Sequence, residues 1–451
     1  MEAVRVIVQI VLFLIPLGMG ARYGPMALIG TSGVSVFILV EVLRMQPGSP
    51  PLSAIFIILS VISATAALTA AGGMDFLVRL AGRAMRRHPG AIPVVGPLFV
   101  WLFTVMSGTG NITFALIPIM YDVSYSAKIR PARILATANA VCQLALMASP
   151  VAAVTYVFVN MTESDGNTLA KTLMVTVPAS LVATVGTSLI MSRYGKDLDD
   201  DPEYQRRLAA GEIEPPQPVG DDADLPPLRP RAAISAYVFL AGVVTGVVLG
   251  FFSSLRPTYS VPQDDGSLLD NTVSMSFMIP IIMFAAAGII MVVCKIKTPA
   301  VMSEPIIGTG LIAALLLLAV PVLAGTILND HMDAVSSFVN STIGVSVMLF
   351  AVILFLLASL IQSQVASLSI LVPVAMTAGL GVGPMAGMLG AASGNNLLAS
   401  MGGLGQACIL TDKTGSTKQG SFLINSSFFV PMICSVIIAV AAGLGLQLVV
   451  Y

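Results

Sequence analysis

The chain alternates long uncharged apolar runs with short polar loops. Runs long enough to cross a bilayer, about 20 residues each, fall at roughly 3–20, 24–43, 52–73, 134–160, 171–192, 232–255, 273–294, 303–327, 385–410 and 421–450. Two further apolar stretches are interrupted at mid-length. One, uncharged from His88 to Asp122, contains Ser107-Gly108-Thr109-Gly110-Asn111; the other contains Gln362-Ser363-Gln364. Basic residues set the direction of each crossing. Arg79, Arg83, Arg86 and Arg87 precede the first interrupted stretch and Lys128, Arg130 and Arg133 follow it, which places both of its ends on the cytoplasmic face. A segment that enters and leaves on one face is a re-entrant hairpin, two half-helices meeting at a tip. Irregular backbone at membrane depth persists only where protein or a water-filled cavity satisfies its polar groups. The tip is therefore a candidate binding site.

The same alternation makes the Arg-rich 79–87 segment, Lys295 with Lys297, and Lys413 with Lys418 cytoplasmic loops. It puts Asn160 to Asn167, Arg256 to Asn271 and both termini outside. Arg193 to Arg231, rich in Asp, Glu and Pro, reads as a cytoplasmic linker with a short helix around Asp201 to Ala210. Three segments result: a first membrane repeat, 1–192, with its hairpin at about 91–121; the linker, 193–231; and a second membrane repeat, 232–451, with its hairpin at about 346–375. The halves align in their polar breaks. Ser107 to Asn111 matches Gln362 to Ala366, Pro118 matches Pro373, Pro131 matches Pro384, and Gln143 to Ser149 matches Gly394 to Ser400. Five spans and one hairpin per half invert the second copy relative to the first. The expected architecture is an all-α polytopic membrane protein of ten transmembrane helices built as inverted repeats, a recurring plan of secondary transporters.

Composition narrows the classes. Of 451 residues 56% are hydrophobic and 10% charged, against about 25% charged in soluble domains, so soluble enzymes are excluded. A net charge of -1 argues against nucleic acid as a partner. The run from Val4 to Gly18 reads as a first span, because Arg5 alone is a weak basic flank for a signal peptide. Cys142, Cys294, Cys408 and Cys434 lie in apolar segments without pairing or ligand spacing and read as small core hydrophobes. His88 and His331 lack a helical His partner, and Gly402 to Gly405 lacks the Lys of a phosphate loop. No metal or cofactor is expected, and Trp101 reads as packing.

From Ala334 to Thr411 there is no ionisable residue, so the usual intramembrane proton relay is missing there. Hydroxyls and amides remain. The candidate substrate-binding residues are Ser107, Gly108, Thr109, Gly110 and Asn111 in the first tip, and Gln143 and Ser149 in the span after it. Their counterparts are Gln362, Ser363 and Gln364 in the second tip, with Ser393, Asn395, Asn396 and Ser400 in its following span. Helix breaks after Gly110, Ser149, Gln364 and Ser400 would each expose a helix N-terminus carrying roughly +0.5 charge. Four converging ends suit a dianion whose hydration neutral donors replace. Isolated hydroxyls such as Thr113 and Ser367 are equally well explained by bonds back to their own helices.

Several motifs in order identify a resemblance: Ala71-Gly-Gly-Met-Asp75, Arg86-Arg-His-Pro89, Gly108-Thr-Gly110, Ile129-Arg-Pro-Ala-Arg133, Ala148-Ser-Pro150, Gly195-Lys-Asp-Leu198 with Asp201-Pro202, and Asp412-Lys-Thr-Gly415. Over nearly its whole length the chain resembles the anaerobic C4-dicarboxylate uptake family, the Dcu transporters, within the wider ion-transporter superfamily. The resemblance implies exchange of fumarate, succinate, malate or aspartate across the bacterial inner membrane. It further implies a homodimer with scaffold and transport domains and an elevator-type movement. Two positions depart from the family pattern: Asn111 stands where a His is expected, and Ser400-Met401-Gly402 where a Tyr-Pro-Thr is expected. Both fall on the candidate site and bear on the identity of the cargo. Another small carboxylate or an amino acid, a carboxylate-binding membrane sensor, and a channel are the alternative readings.

Overall fold

The computed structural model describes residues 2–50, 52–216, 227–262, 268–331, 347–361, 363–396, 403–419 and 426–451. Proline, whose fixed φ suits a first helical turn and which has no amide hydrogen to satisfy there, opens several helices. Pro25 starts α2 (Pro25–Phe37), which follows α1 (Glu2–Tyr23), and Pro93 lies in the first turn of α5. The first half continues through α3 (Leu52–Ala70), α4 (Gly73–Arg87), α5 (Ile92–Ser107), α6 (Ile112–Ser126), α7 (Pro131–Leu146), α8 (Ala153–Thr162) and α9 (Leu169–Ser192). After the short α10 (Pro202–Ala209) come α11 (Ala232–Phe251), α12 (Met275–Cys294), α13 (Thr298–Met302) and α14 (Pro305–Asp330). Then follow α15 (Met348–Ile361), α16 (Gln364–Thr377), α17 (Val382–Met388), α18 (Gly403–Thr411) and α19 (Phe429–Val450).

Among the described residues six helices are singly long and apolar enough to cross a membrane, or seven spans if the bent pair α3–α4 counts as one. One of the six, Pro89–Ser107, is a limb of the expected first hairpin. Of the ten expected runs, the first two give apolar helices that are too short, the third is the bent pair, and two more are broken locally. The 134–160 run breaks at Met147 to Ala152 into α7 and α8. The 385–410 run divides into α17, a 3-10 segment (Leu389–Asn396) and α18. Side chains of α8 close the first break: Thr155 Oγ1 donates to Leu146 O at 3.1 Å and Tyr156 Oη to Pro150 O at 2.8 Å. Carbonyls orphaned at the end of α7 are thereby satisfied without water.

Two expectations need correction. The Arg-rich 79–87 segment is no loop but the end of α4. Its buried Met74, Leu77, Ala81 and Met85 recur at helical spacing, with Arg79 and Arg83 between them and Arg87 after. The chain turns by 71° between α3 and α4 at Gly72, whose φ of +81° only glycine adopts without strain. The fold is also not purely helical. In the Arg256 to Asn271 loop, β1 (Thr258–Pro262) pairs antiparallel with β2 (Leu268–Thr272), where Thr, Tyr and Val favour extended backbone.

The described part of the 193–231 segment contains the expected short helix and packs against the helices beside it. Its helix α10 is capped by the Asp201 carboxylate, which accepts from Glu203 N at 3.0 Å. Glu203 forms ion pairs with Arg206 and Arg207, whose hydrogen bonds lower its carboxyl pKa to about 2. Residues 194–214 lie against the turn between α6 and α7. Arg133, 8% exposed, donates from Nε to Tyr194 O and from Nη2 to Gly195 O, both at 2.9 Å, and pairs with Asp197 at 2.9 Å. Arg130 donates to Lys196 O and pairs with Asp201 at 3.0 Å. Tyr125 Oη donates to Glu214 O at 2.5 Å, beside the buried Tyr204. On the other side Arg207 Nη1 donates to Lys413 O at 3.0 Å. Charged hydrogen bonds contribute about 1.5–3 kcal/mol each. Arg133→Met is therefore expected to speed limited proteolysis between Tyr194 and Glu214 by about tenfold or more. An unchanged cleavage rate would count against this docking.

Two large apolar clusters fill the interior. One joins α3 to α7 with α11 and α12; the other joins α8 to α15, α16, α17 and α19. Val61 and Val151 belong to the first and Ile58 to the second, and all three line the cavity described next.

Candidate functional site

The first tip forms between α5 and α6. α5 ends at Ser107, Gly108 takes the left-handed conformation with φ +66°, and α6 starts at Ile112. Gly96 of α5 lies against Met120 of α6, so the limbs run antiparallel and Gly108 to Asn111, between them, sit at the closed end. Ser107 Oγ donates to Thr109 O at 3.2 Å and Asn111 N to Thr109 Oγ1 at 3.3 Å, which holds the turn in one shape. Beneath it lies α7. Thr113 Oγ1 donates to Cys142 Sγ at 3.3 Å, and Cys142 Sγ–H is 3.7 Å from Gly110 O. Gly108 rests on the carbonyl of Val151 in the α7–α8 break.

A cavity of ≈ 220 Å³ opens in front of this tip. Ser107 through Asn111 form one wall, Leu146, Val151 and Ala153 a second, and Ile58, Val61, Ile62 and Thr65 of α3 with Ile306 and Gly310 of α14 the rest. None of these residues is ionisable. Asn111 lines the cavity, and its carboxamide has no hydrogen-bond partner among the described residues. Two helix N-termini border the cavity, those of α6 after Asn111 and α8 at Ala153. Together they supply roughly +1 of partial charge, while the α3 and α14 wall is almost wholly apolar.

A second polar group lies on the other side of α7. Gln364 Nε2 donates to Gln143 O at 2.9 Å and to Gln143 Oε1 at 3.3 Å, and Asn395 Nδ2 donates to Gln143 Oε1 at 3.0 Å. Gln364 Nε2 is also 3.5 Å from Asn395 Oδ1. Three amides from α7, the start of α16 and the 3-10 segment thus close on one another. Ser363 caps α16, its Oγ accepting from Ala366 N at 3.2 Å. Gln143 follows Cys142 in sequence, so α7 joins this amide group to the first tip.

The predicted residues therefore divide. Ser107 through Asn111 line the cavity, and Gln143, Gln364 and Asn395 form the amide group with Ser363 at its edge. Ser149 is buried at the break, its Oγ accepting from Val151 N at 3.2 Å. Ser393 is turned away: its Oγ donates back to Gly390 O, as hydroxyls in apolar helices commonly do. Gln362 and Ser400 lie outside the described residues; Asn396 ends the 3-10 segment, its side chain outside the description. Helices start where the breaks predicted, at Ile112, Ala153, Gln364 and Gly403. Only the first two border the cavity, which halves the partial charge expected there. Sequence reasoning missed the α3 and α14 wall and Cys142. One signal for that wall was present, a second Gly-Thr-Gly at Gly308 to Gly310, whose Gly310 brings α14 into contact with Ile62. Trp101 does pack, and its Nε1 donates to Ser180 Oγ at 3.0 Å.

Comparison with known proteins adds the following. Residues 5–451 match the family described as anaerobic C4-dicarboxylate membrane transporter. The C4-dicarboxylate transporter DcuA of Helicobacter pylori is 32% identical over 443 residues, covering 96% of this chain and 97% of its own. DcuA of Escherichia coli is 30% identical over 440 residues, covering 97% and 98%. The anaerobic C4-dicarboxylate transporter DcuB of Escherichia coli is 29% identical over 443 residues, covering 97% of each chain. Among solved structures, the Alcanivorax borkumensis YdaH transporter superposes with a TM-score of 0.57 at 16% identity, covering 94% of this chain and 97% of that one. Neisseria gonorrhoeae MtrF gives 0.53 at 12% identity, covering 92% and 84%. At such identities these two likenesses concern the fold.

Proposed function

The chain belongs to the anaerobic C4-dicarboxylate membrane transporter family, and from that premise we propose that it is a secondary carrier of four-carbon dicarboxylates in the bacterial inner membrane. The observation that supports the reading most directly is the Ser107–Asn111 tip, which lines a cavity at two helix N-termini and whose Asn111 carboxamide has no hydrogen-bond partner among the described residues. In this reading one carboxylate of the cargo takes the amide hydrogens of the tip and the Asn111 side chain. The Gln143–Gln364–Asn395 group then opens to receive the second. Neutral donors suit a carrier that must release its cargo as readily as it takes it up, because they replace hydration without fixing a permanent counter-charge.

Exchange follows as the mode of coupling. The cavity lining contains no acid that a proton would titrate, which suits exchange of one cargo for another better than proton symport. The finer architecture is part of the same proposal. It comprises ten crossings as inverted repeats of 1–192 and 232–451 joined through 193–231, re-entrant hairpins at about 91–121 and 346–375, and both termini on the outer face. A homodimer whose scaffold stays fixed while the two tips move with their broken helices as one elevator-like body completes it. One observation favours a second reading, a less charged small carboxylate or an amino acid: the apolar wall of Ile58, Val61, Ile62 and Ile306.

Proteoliposomes preloaded with succinate and offered labelled fumarate, malate and aspartate test both readings. Counterflow is expected with at least one of the three, and Asn111→Ala is expected to raise its half-saturating concentration about tenfold, the worth of one hydrogen bond to a charged group. No counterflow with any of them, while monocarboxylates or amino acids do exchange, would replace the first reading by the second.

A further inference from the structure

A second cavity, ≈ 270 Å³, lies at the far end of α8 from the tip. Ala153 at the start of α8 lines the first cavity, and Tyr156, Val159 and Asn160 line the second. Seven residues of helix separate Ala153 from Asn160, about 10 Å at 1.5 Å per residue. The second cavity is also at the end of α9 remote from the linker, since Thr168, Leu169 and Ala170 form part of it and Ser192 lies at the other end. Under the topology proposed above this is the outer face.

Its wall is assembled for an anion. Two long helices begin there: α9 at Leu169 and α12 at Met275, and Leu169, Ala170, Met275 and Ser276 all line the cavity. First-turn amides of a helix have no partner within it and carry the positive end of its dipole. Arg256 lines the same space. Its Nη1 donates to Val273 O at 3.3 Å, and its Nε has no hydrogen-bond partner among the described residues. Ser276 Oγ donates to Asn160 Oδ1 at 3.2 Å. Glu163 is the one acid in the lining, and it is exposed. Tyr156 connects the two cavities: its ring lines the outer one and its hydroxyl holds Pro150 O in the α7–α8 break beside the tip.

We infer that this cavity is an outer staging site for a small carboxylate, occupied before the cargo passes along α8 to the tip. The chemistry of the wall suits carboxylate or phosphate oxygens alike, and the proposal commits to the free carboxylate. It rests on the carrier reading for the identity of that carboxylate. The position explains why an arginine helps on the approach although none lines the transport cavity: a cation there concentrates the dianion without retaining it at the point of transfer.

The test uses the full chain in proteoliposomes with succinate as the probe, varied outside. Arg256→Gln is expected to raise the half-saturating external concentration about fivefold with little change in maximal rate, the effect of one steering cation. Glu163→Gln is expected to lower it about twofold, since it removes the repelling charge at the rim. A misfolded protein does not gain affinity, so the second variant guards the first. Half-saturation unchanged in both variants, with wild-type counterflow intact, would overturn the staging site and leave the carrier reading standing. Absence of wild-type counterflow would instead strike the carrier reading. Repeating the series in phosphatidylcholine with and without phosphatidylglycerol separates the two oxyanion sources. An Arg256→Gln effect present only with phosphatidylglycerol would assign the cavity to a lipid phosphate and overturn the proposal.

Discussion

Gly108→Ala is expected to abolish counterflow, lowering it by at least about 100-fold, and to destabilise the protein by about 2–4 kcal/mol. Two costs add at this one residue. Its φ of +66° is a left-handed conformation, worth about 1–2 kcal/mol against any residue with a Cβ. A Cβ there would stand 2.7 Å from Val151 O and 2.8 Å from Val151 C. Those are main-chain atoms in the α7–α8 break, held by the Val151 N bond to Ser149, so they have little room to yield. Relief must come from moving the tip itself, which displaces Asn111 and the start of α6 from the cavity. The measurement is paired: thermal unfolding and succinate counterflow of the same preparation, with Gly18→Ala as control because a Cβ at Gly18 meets nothing within 4 Å. Gly108→Ala with wild-type transport would remove the tip from the site.

Gln143→Leu carries the second large effect. Gln143 accepts through one side-chain oxygen from both Gln364 and Asn395. Leucine conserves volume but removes the shared acceptor at membrane depth: Asn395 Nδ2 loses its bond, at about 1–3 kcal/mol, while Gln364 Nε2 keeps its bond to Gln143 O. The expected loss of substrate affinity is about 30-fold or more. A double-mutant cycle gives the sharper reading. Gln143→Ala and Gln364→Ala share one contact, so the double variant is expected to fall short of the summed effects by about 1 kcal/mol or more. Strict additivity would mean that the amide group is packing and no part of a cargo site.

What was legible in the sequence was the punctuation. Gly108, Pro150 and Ser363 interrupt apolar runs, and backbone chemistry makes those interruptions visible whatever packs around them. Helix starts at Ile112, Ala153 and Gln364 followed directly, as did a short helix near Asp201. Pairing was not legible. In lipid, a residue facing a cavity and one facing acyl chains can both be isoleucine, so Ile58, Ile62 and Ile306 gave no sign of lining a site. Ser393 and Asn395 looked alike as polar residues in one uncharged stretch. One bonds to its own helix turn and the other reaches Gln143, and nothing local distinguishes them. The Arg-rich end of α4 was misread because a basic cluster signals sidedness more strongly than helical spacing signals structure.

The docking of residues 194–214 bears on how such a protein can vary. Arg133 and Arg130 grip the carbonyls of Tyr194, Gly195 and Lys196, and Tyr125 grips that of Glu214. Every residue type offers the same carbonyl. Substitutions at Tyr194, Lys196 and Glu214 leave these bonds in place, whereas a single change at Arg133 removes several at once. Apart from Gly195, with its φ of +75°, and Asp197, Asp201 and Arg207, whose side chains join the docking, the stretch can therefore drift in sequence and stay fixed in space.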